Sequence, residues 1–428
     1  MDTIFALATA QGKAGVAVIR ISGPLAWDAA AQICGRLPHP RGSALRALYA
    51  ADGLIIDHAL VLAFEEKASF TGEKTVEFQT HGSIAVVQSL LSRLAQIDGL
   101  RIAAPGEFTR RALENGQLDL TQVEGLADLI DAETEAQRKH ALQVFQGALS
   151  GQIEHWRRDL IRAAALLEAV IDFADEDVPE DVTPEVQALL TKVQADIESQ
   201  LRGQKNTERL KTGYEVAIIG APNVGKSTLL NTLAGRDAAI TSSIAGTTRD
   251  VIEVRMDIGG WPVTLLDTAG IRDSDDVIEQ AGIALAHKRG QAADMRLILI
   301  EDGKAPPVTP QPGDIVRICK ADLGGEGADH ISAKTGYGID ALIHEISDQL
   351  AHLGDNLSLA STERHRQSLN FALDALGNAQ IQLSHGGDFY DITAEELRTA
   401  VRALESIVGR VDVEDLLDEI FASFCLGK

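Results

Sequence analysis

The chain has 428 residues, 45% of them hydrophobic and 24% charged, which is typical of globular domains and excludes wholesale disorder. Its 63 acidic residues outnumber its 39 lysines and arginines, so the net charge of −24 excludes general nucleic-acid or anionic-membrane binding. RNA is not excluded as a substrate, but binding it requires a local basic patch or a partner that supplies one. The sequence shows no leader pattern and no apolar run of about 18 residues, so we expect a cytoplasmic protein without a membrane segment.

The first 118 residues predict an α+β domain. Strand-like patterns occupy 14–23, 59–66 and 75–82, and a helical pattern at 83–97 begins with Ser83 as its expected cap. From residue 119 the chain is rich in Ala, Leu, Glu and Gln. A single helix over 121–172 would be roughly 78 Å long, so we expect a break at Gly147 or at the pair Ser150–Gly151.

An acidic loop over 175–184 precedes a further helix, for which Thr183 and Pro184 resemble a cap and first residue. A buried strand is then predicted at 214–220, and strand and helix patterns alternate to about residue 350. Helical patterns return at 362–383 and 393–410. The sequence therefore predicts a parallel α/β unit inserted between two helical halves.

A phosphate-binding loop follows the strand at 214–220. Residues 220–228, GAPNVGKST, fit G-x-x-x-x-G-K-[ST] between a strand and a helix. Gly220 and Gly225 let backbone N–H groups turn toward phosphate oxygens, Lys226 supplies a charge for the β- and γ-phosphates, and the Ser227 hydroxyl suits Mg²⁺. This pattern predicts a nucleoside-triphosphate site.

Shorter motifs follow in the order expected of a nucleotide-hydrolysing G domain. Thr248 in GTTRD is the candidate second hydroxyl on Mg²⁺, Asp267 in DTAG can hold a Mg²⁺-bound water, and Gly270 can donate its N–H to the γ-phosphate. The tripeptide SAK at 332–334 would contact a purine through backbone amides. Each motif alone is weak, but their joint order indicates the G domain.

Two positions depart from the usual pattern. The base-reading motif is Cys319-Lys320-Ala321-Asp322, with cysteine where asparagine is usual. Asp322 can still accept hydrogen bonds from guanine, so we expect guanine specificity to persist and affinity to fall by about 0.5–1.5 kcal/mol. Ile271 follows DTAG, where Ras-like proteins carry a glutamine that orients water. Hydrolysis is therefore poor or depends on another group.

The chain resembles the tRNA-modification GTPase family MnmE, also called TrmE. The likeness runs nearly end to end, through FTGE…THG (70–82), PGEFTRRA (105–112), NGQLDL (115–120), the G-domain motifs and the C-terminal FCLGK (424–428). The resemblance implies an N-terminal α+β folate-binding and dimerisation domain, a discontinuous helical domain and an inserted Ras-like P-loop G domain. We expect these at 1–118, at 119–212 with 354–428, and at 213–353.

The same resemblance implies a function. Family members hydrolyse GTP with Mg²⁺ and K⁺, are homodimers, and are activated when their G domains pair. With a separate FAD-containing protein, MnmG or GidA, they convert C5 of the wobble uridine of certain tRNAs to an aminomethyl-type group. The carbon comes from a tetrahydrofolate in its 5-formyl or methylene form. The alternative is a GTP-controlled factor for RNA binding or ribosome assembly, without folate chemistry.

Residue roles carry over by position. K⁺, standing in for an arginine finger, would be bound by Asn223, Ser242, Thr247 and the Ile244 carbonyl, and Glu279 would position the water. Lys226 and Thr248 are the other hydrolytic residues. The nucleotide contacts implied are Asn223, Val224, Gly225, Lys226, Ser227, Thr228, Ser242, Ser243, Ile244, Ala245, Gly246, Thr247, Thr248, Asp267, Thr268, Ala269, Gly270, Lys320, Asp322, Ser332, Ala333 and Lys334.

Folate contacts are implied at Arg20, Glu77 and Lys428. A family lysine corresponds to Gln117, which keeps a donor but loses the charge, so we expect weaker binding of the folate tail. Cys425 in FCLGK has two interpretations: a small buried residue, or a thiol required for modification but not for GTP hydrolysis. No motif surrounds Cys34, which we interpret as structural.

Overall fold

The computed structural model describes residues 2–172, 181–236, 252–267, 290, 292–410, 421 and 427. The chain forms two compact units, Met1–Ala127 with Leu404–Lys428, and Asp128–Ala403. Among the described residues, no helix is both long and apolar enough to cross a membrane.

The first unit is built on a six-stranded sheet. Its strands are β1 (Thr3–Leu7), β2 (Ala14–Ser22), β3 (Ser43–Tyr49), β4 (Ile55–Phe64), β5 (Thr75–Gly82) and β6 (Leu100–Ile102). The order is β3-β4-β5-β2-β1-β6, and all neighbours are antiparallel except β1 and β6. The strands predicted within 14–23, 59–66 and 75–82 are confirmed.

Four helices accompany this sheet in the chain: α1 (Ala26–Cys34), α2 (Ile84–Ala95), α3 (Glu107–Glu114) and α4 (Leu120–Asp131). The main core lies between one sheet face and α1 and α2, where Ile19, Val61 and Phe78 pack against Ile33 and Leu90. Cys34 is buried in this core, in agreement with a structural role. The helix predicted at 83–97 is confirmed, and Ser83 is its N-cap residue as predicted, although the Ser83 side chain makes no capping hydrogen bond.

The second unit begins with long helices. They are α5 (Glu135–Phe145), α6 (Ala148–Asp172) and α7 (Thr183–Thr212). The break predicted at Gly147 is confirmed, whereas Ser150 and Gly151 lie inside the first turn of α6. A second, unpredicted break precedes α5, where Thr134 and Gln137 form a capping box that satisfies the orphan N–H groups. Helix α7 begins with Thr183 itself, so the cap position is Val182 and not the predicted Thr183.

The predicted α/β unit follows α7. Its strands are β7 (Tyr214–Gly220), β8 (Ile252–Ile258), β9 (Trp261–Asp267), β10 (Met295–Glu301) and β11 (Ile315–Cys319). They form a sheet of order β11-β10-β7-β9-β8 that is parallel except at β8. The helices are α8 (Lys226–Arg236) and α9 (Ile339–Gly354), and the chain then returns to α10 (Glu363–Ser384) and α11 (Tyr390–Ile407).

This arrangement confirms the predicted fold class of an α+β part, a helical part and an α/β part inserted between helices. Strand β7 is largely apolar because both of its faces are covered: Val216 and Ile218 on one face and Ala217 on the other are fully buried. Its carboxyl end, and those of β9 and β11, point to one edge of the sheet. Open α/β sheets bind ligands at that edge.

Candidate functional site

The loop after β7 has the conformation that a phosphate site requires. Asn223 and Gly225 have positive φ angles of 61° and 117°, which turn the backbone between strand and helix. Gly220 lies so close to β10 that a Cβ there would come 2.8 Å from the Leu299 carbonyl oxygen. Glycine is therefore required at 220 for packing, in addition to the backbone role predicted from the motif.

Lys226 lies over this loop. Its side chain is buried, and its Nζ donates hydrogen bonds to the carbonyl oxygens of Gly220 at 2.5 Å and Ala221 at 2.9 Å. Burial lowers the pKa of Lys226. The ammonium group is thus held at the mouth of the loop, where it can exchange carbonyl oxygens for phosphate oxygens.

Ser227 and Asp267 form the candidate metal position. The Ser227 Oγ donates to Asp267 Oδ2 at 2.8 Å, and Asp267 is only 2% exposed at the end of β9. A hydroxyl and a carboxylate are the hard oxygen groups that suit Mg²⁺, directly or through water. The described residues therefore fit the Mg²⁺ position that the motifs predict.

The base-reading motif and SAK lie together beside the loop. A cavity of about 290 Å³ is lined by Asn223, Val224, Gly225, Thr228, Leu229, Cys319, Lys320, Asp322, Leu323, Ile331, Ser332, Ala333 and Lys334. Asp322 Oδ1 accepts a hydrogen bond from Ser332 Oγ at 2.8 Å. The two motifs, ten residues apart in sequence, are therefore joined by a direct bond that holds the carboxylate in place.

Cys319 and Lys320 also line this cavity. Burial raises the pKa of the Cys319 thiol to about 11, so the group is neutral at pH 7 and is a poor hydrogen-bond donor. Lys320 has a positive φ of 65°, and its Nζ donates to Glu301 Oε1 at 2.7 Å. Glu301 was missed by the sequence analysis, because only the parallel pairing of β10 with β11 places it beside Cys319.

Arg20 and Glu77 lie opposite each other in the first unit. They are register partners on β2 and β5, and Arg20 Nε donates to Glu77 Oε1 at 2.8 Å. The Arg20 guanidinium lies 5.3 Å from the ring centre of Phe70 and 5.6 Å from that of Phe108. The pair and both rings lie on the sheet face away from α1 and α2. The sequence motifs predicted the two charged residues as site residues, but neither their pairing nor the two rings.

The two N-terminal motifs are linked by a buried ion pair. Arg111 of PGEFTRRA and Glu73 of FTGE, both largely buried, are 3.2 Å apart, and Arg111 also bonds to Asp2 and Glu107. Gln117 is exposed and lies against Gly72 of FTGE, where an added Cβ would be 3.1 Å from its Cγ. Since FTGE also supplies Phe70, this motif connects Gln117 to the surroundings of Arg20.

Some of the predicted site residues fall outside the part of the chain that the structure describes. These are Ser242, Ser243, Ile244, Ala245, Gly246, Thr247, Thr248, Thr268, Ala269, Gly270, Glu279, Cys425 and Lys428.

Comparison with known proteins covers the whole chain. The family described as the GTP-binding protein TrmE N-terminus matches residues 3–117, and the family described as the MnmE helical domain matches residues 120–425. Proteins named tRNA modification GTPase MnmE from Ruegeria pomeroyi and Roseobacter denitrificans are 60% and 59% identical to this chain. Each match covers 100% of this chain and 100% of the relative.

Among solved structures, the G domain of the T. maritima FeoB iron transporter matches 32% of this chain and 98% of its own. The identity is 21% and the TM-score is 0.24, so this likeness carries no weight beside the sequence relatives. The full-length matches and the assembled phosphate loop agree with each other. This chain belongs to the MnmE family of tRNA modification GTPases.

Proposed function

We propose that this chain is a Mg²⁺-dependent, K⁺-stimulated GTPase that modifies C5 of the tRNA wobble uridine together with an FAD-containing partner of the MnmG type. The observation that carries the proposal is the nucleotide site of the second unit, in a chain whose relatives over full length are named tRNA modification GTPases. Lys226, Ser227 and Asp267 stand where a triphosphate and its metal ion would be bound, and Asp322 stands where a guanine would be read.

A test of the whole activity combines two measurements. GTP turnover is measured on the purified chain, and nucleosides from the tRNA of a deletion strain are analysed by mass spectrometry. Loss of the wobble-uridine modification in the deletion strain, and its recovery on complementation, would support the proposal. Normal nucleosides with defective ribosomal particles would instead favour a GTP-controlled factor in ribosome assembly.

Asn223 is the described residue that we assign to K⁺. It is exposed on the loop, faces the nucleotide cavity, and makes no side-chain hydrogen bond among the described residues. The side-chain amide oxygen of Asn223 is therefore available to a hard cation. A cation bound there would place positive charge near the phosphates in the transition state. The assignments of Ser242, Ile244 and Thr247 to K⁺, of Thr248 to Mg²⁺ and of Glu279 to the attacking water complete the proposed mechanism.

We assign the tetrahydrofolate site to the open sheet face around Arg20. Glu77 uses one carboxylate oxygen for Arg20, and its other oxygen has no partner among the described residues. That oxygen could accept from the amidine-like edge of a pterin, and Phe70 and Phe108 supply apolar surface beside it. Gln117 and Lys428 are the proposed contacts to the folate tail.

Titration with 5-formyl-tetrahydrofolate tests this site. Arg20→Ala should weaken binding by at least about tenfold, since a charge-assisted bond contributes about 1.5–3 kcal/mol. Arg36→Ala, which removes an exposed arginine of the same unit, is the matched control and should not change affinity. Equal affinity in wild type and Arg20→Ala would reject the assignment.

The same face supports the proposed homodimer. Leu45 on β3 and Leu60 on β4 are register partners, and they are 68% and 37% exposed. Val16 on β2 is 54% exposed. A second copy that covered these side chains would remove apolar area from water. Light scattering should show the mass of a monomer for the double variant Leu45→Ser, Leu60→Ser. The control variant Leu323→Ser alters an exposed leucine of the second unit and should have the same mass as wild type.

Three further assignments belong to this proposal. The domain limits are 1–118, 119–212 with 354–428, and 213–353. Cys425 is assigned to the modification step and not to GTP hydrolysis, and the protein is assigned to the cytoplasm. Cys425→Ser should therefore abolish wobble modification and leave GTP turnover unchanged, whereas loss of both activities would contradict that separation.

A further inference from the structure

Negative charge is distributed unevenly along this chain. Residues 1–127 carry 11 lysines and arginines against 13 aspartates and glutamates, so they account for only −2 of the net charge of −24. Charges are screened over about 8–10 Å at physiological ionic strength. Residues 1–127 are therefore nearly neutral, so a polyanion bound to them meets little net repulsion from the charges of this part of the chain.

Within this part, residues 29–51 contain no aspartate or glutamate but carry Arg36, Arg41 and Arg46. They run from α1 through a loop into β3, the outer strand of the sheet. Arg46 Nε donates to the Arg36 carbonyl oxygen at 2.9 Å, so these two residues adjoin. We call Arg36, Arg41 and Arg46 the arginine edge.

The guanidinium groups of the arginine edge lack carboxylate partners among the described residues. Arg36 and Arg41 are exposed and have no side-chain hydrogen bond there, and Arg46 bonds only to the carbonyl oxygens of Arg36 and Leu45. Three arginines of the second unit differ in this respect. Arg138, Arg202 and Arg366 each pair with a glutamate one helical turn away.

We propose that the arginine edge binds the sugar–phosphate backbone of tRNA. This inference rests on the proposed function, because tRNA modification requires that a strongly acidic chain meet a polyanion. Unpaired guanidinium groups can contact phosphates without first breaking an ion pair. Arg41 and Arg46 are five positions apart, which is at most roughly 16 Å along the chain, so the edge can follow a backbone over more than one phosphate.

The test measures binding of an unmodified tRNA transcript to the full-length chain by fluorescence anisotropy between 50 and 200 mM salt. The triple variant Arg36→Gln, Arg41→Gln, Arg46→Gln is compared with wild type. Each lost phosphate contact should reduce the salt slope by about 0.7–0.9 and the affinity at 0.1 M salt by about sixfold. Three contacts therefore predict a loss of about two-hundredfold, and a slope smaller by about 2–3.

Two further variants keep the result interpretable. The double variant Arg36→Gln, Arg41→Gln leaves the Arg46 hydrogen bonds intact. Its salt slope should change by about two-thirds as much as that of the triple variant. The matched control Arg138→Gln, Arg202→Gln, Arg366→Gln removes the same charge from paired arginines. It should lose much less tRNA affinity than the arginine-edge triple variant. Turnover of GTP in K⁺ should be unchanged in the arginine-edge variants, because these residues lie outside the nucleotide site.

Three results would overturn the proposal. They are the absence of tRNA binding by the wild-type chain at 50 mM salt, equal losses in the arginine-edge and control variants, and unchanged tRNA binding with loss of the flavoprotein complex. The last result would assign the edge to an acidic protein surface. Failure of the proposed function is distinguishable, because it would appear as absent GTP turnover or intact wobble modification in the deletion strain, whatever the tRNA affinity.

Discussion

Cys319→Asn should strengthen GTP binding. The residue ends β11 on the wall of the nucleotide cavity, and its neutral thiol is a weak donor because burial raises its pKa to about 11. Asparagine would add an amide donor at the same point of the wall. Asp322, held by Ser332, would continue to read the guanine from its own position.

The expected gain follows from one neutral hydrogen bond. Such a bond contributes about 0.5–1.5 kcal/mol, which corresponds to a rise in GTP affinity of about 2- to 12-fold. The extra volume of the asparagine side chain can be accommodated by the adjoining cavity of about 290 Å³. The turnover number at saturating GTP should not change, because residue 319 belongs to the motif that contacts the guanine base and not to the loop that binds the phosphates.

Competition of GTP and GDP against a fluorescent guanine nucleotide measures this gain. Cys34→Ala, which removes a buried thiol of the first unit, is the control and should leave nucleotide affinity unchanged. Thermal unfolding should be checked in parallel. A gain of less than twofold in a stably folded Cys319→Asn variant would refute the reasoning that the missing donor weakens guanine binding.

Three other predictions concern buried or paired groups. Arg111→Gln leaves the Glu73 carboxylate buried without its cation, and should lower the free energy of unfolding of the first unit by about 3–5 kcal/mol in urea titration; a loss below about 1 kcal/mol contradicts this. Alkylation of Cys319 by iodoacetamide should accelerate about tenfold per pH unit from pH 7 to 10, because the thiolate fraction rises toward a pKa of about 11. A plateau below pH 9 would contradict that prediction. Ser227→Ala removes the hydroxyl bonded to Asp267 and should raise the Mg²⁺ requirement of GTP turnover by about ten- to a hundredfold, whereas an unchanged requirement would remove Ser227 from the metal site.

Local sequence signals predicted the elements whose causes are local. Strand β7 was predicted at 214–220 and lies there, because a short apolar run before a glycine-rich loop specifies a buried strand. Gly147 ended a helix because its positive φ of 86° favours glycine. The break before α5 was missed although Thr134 and Gln137 carry its capping-box signal, since the run of good helix formers around them suggested continuity.

Contacts between residues far apart in the chain could not be predicted from the sequence pattern. The motifs predicted that Asp322 and Ser332 share a site, because both belong to known base-reading segments. They could not predict that Arg20 is bonded to Glu77, because that contact depends on the register of β2 with β5. Nor could they show that Arg111 joins PGEFTRRA to FTGE, a contact between segments 38 residues apart.

The most direct test of the account is the initial rate of GTP hydrolysis in K⁺ and in Na⁺ at equal ionic strength. Wild type, Asn223→Ala and the control Asn378→Ala, which alters an exposed asparagine of α10, are measured side by side. We predict faster hydrolysis in K⁺ for wild type and for Asn378→Ala, and loss of that difference in Asn223→Ala. Equal, slow wild-type rates in both salts would contradict a cation-assisted mechanism.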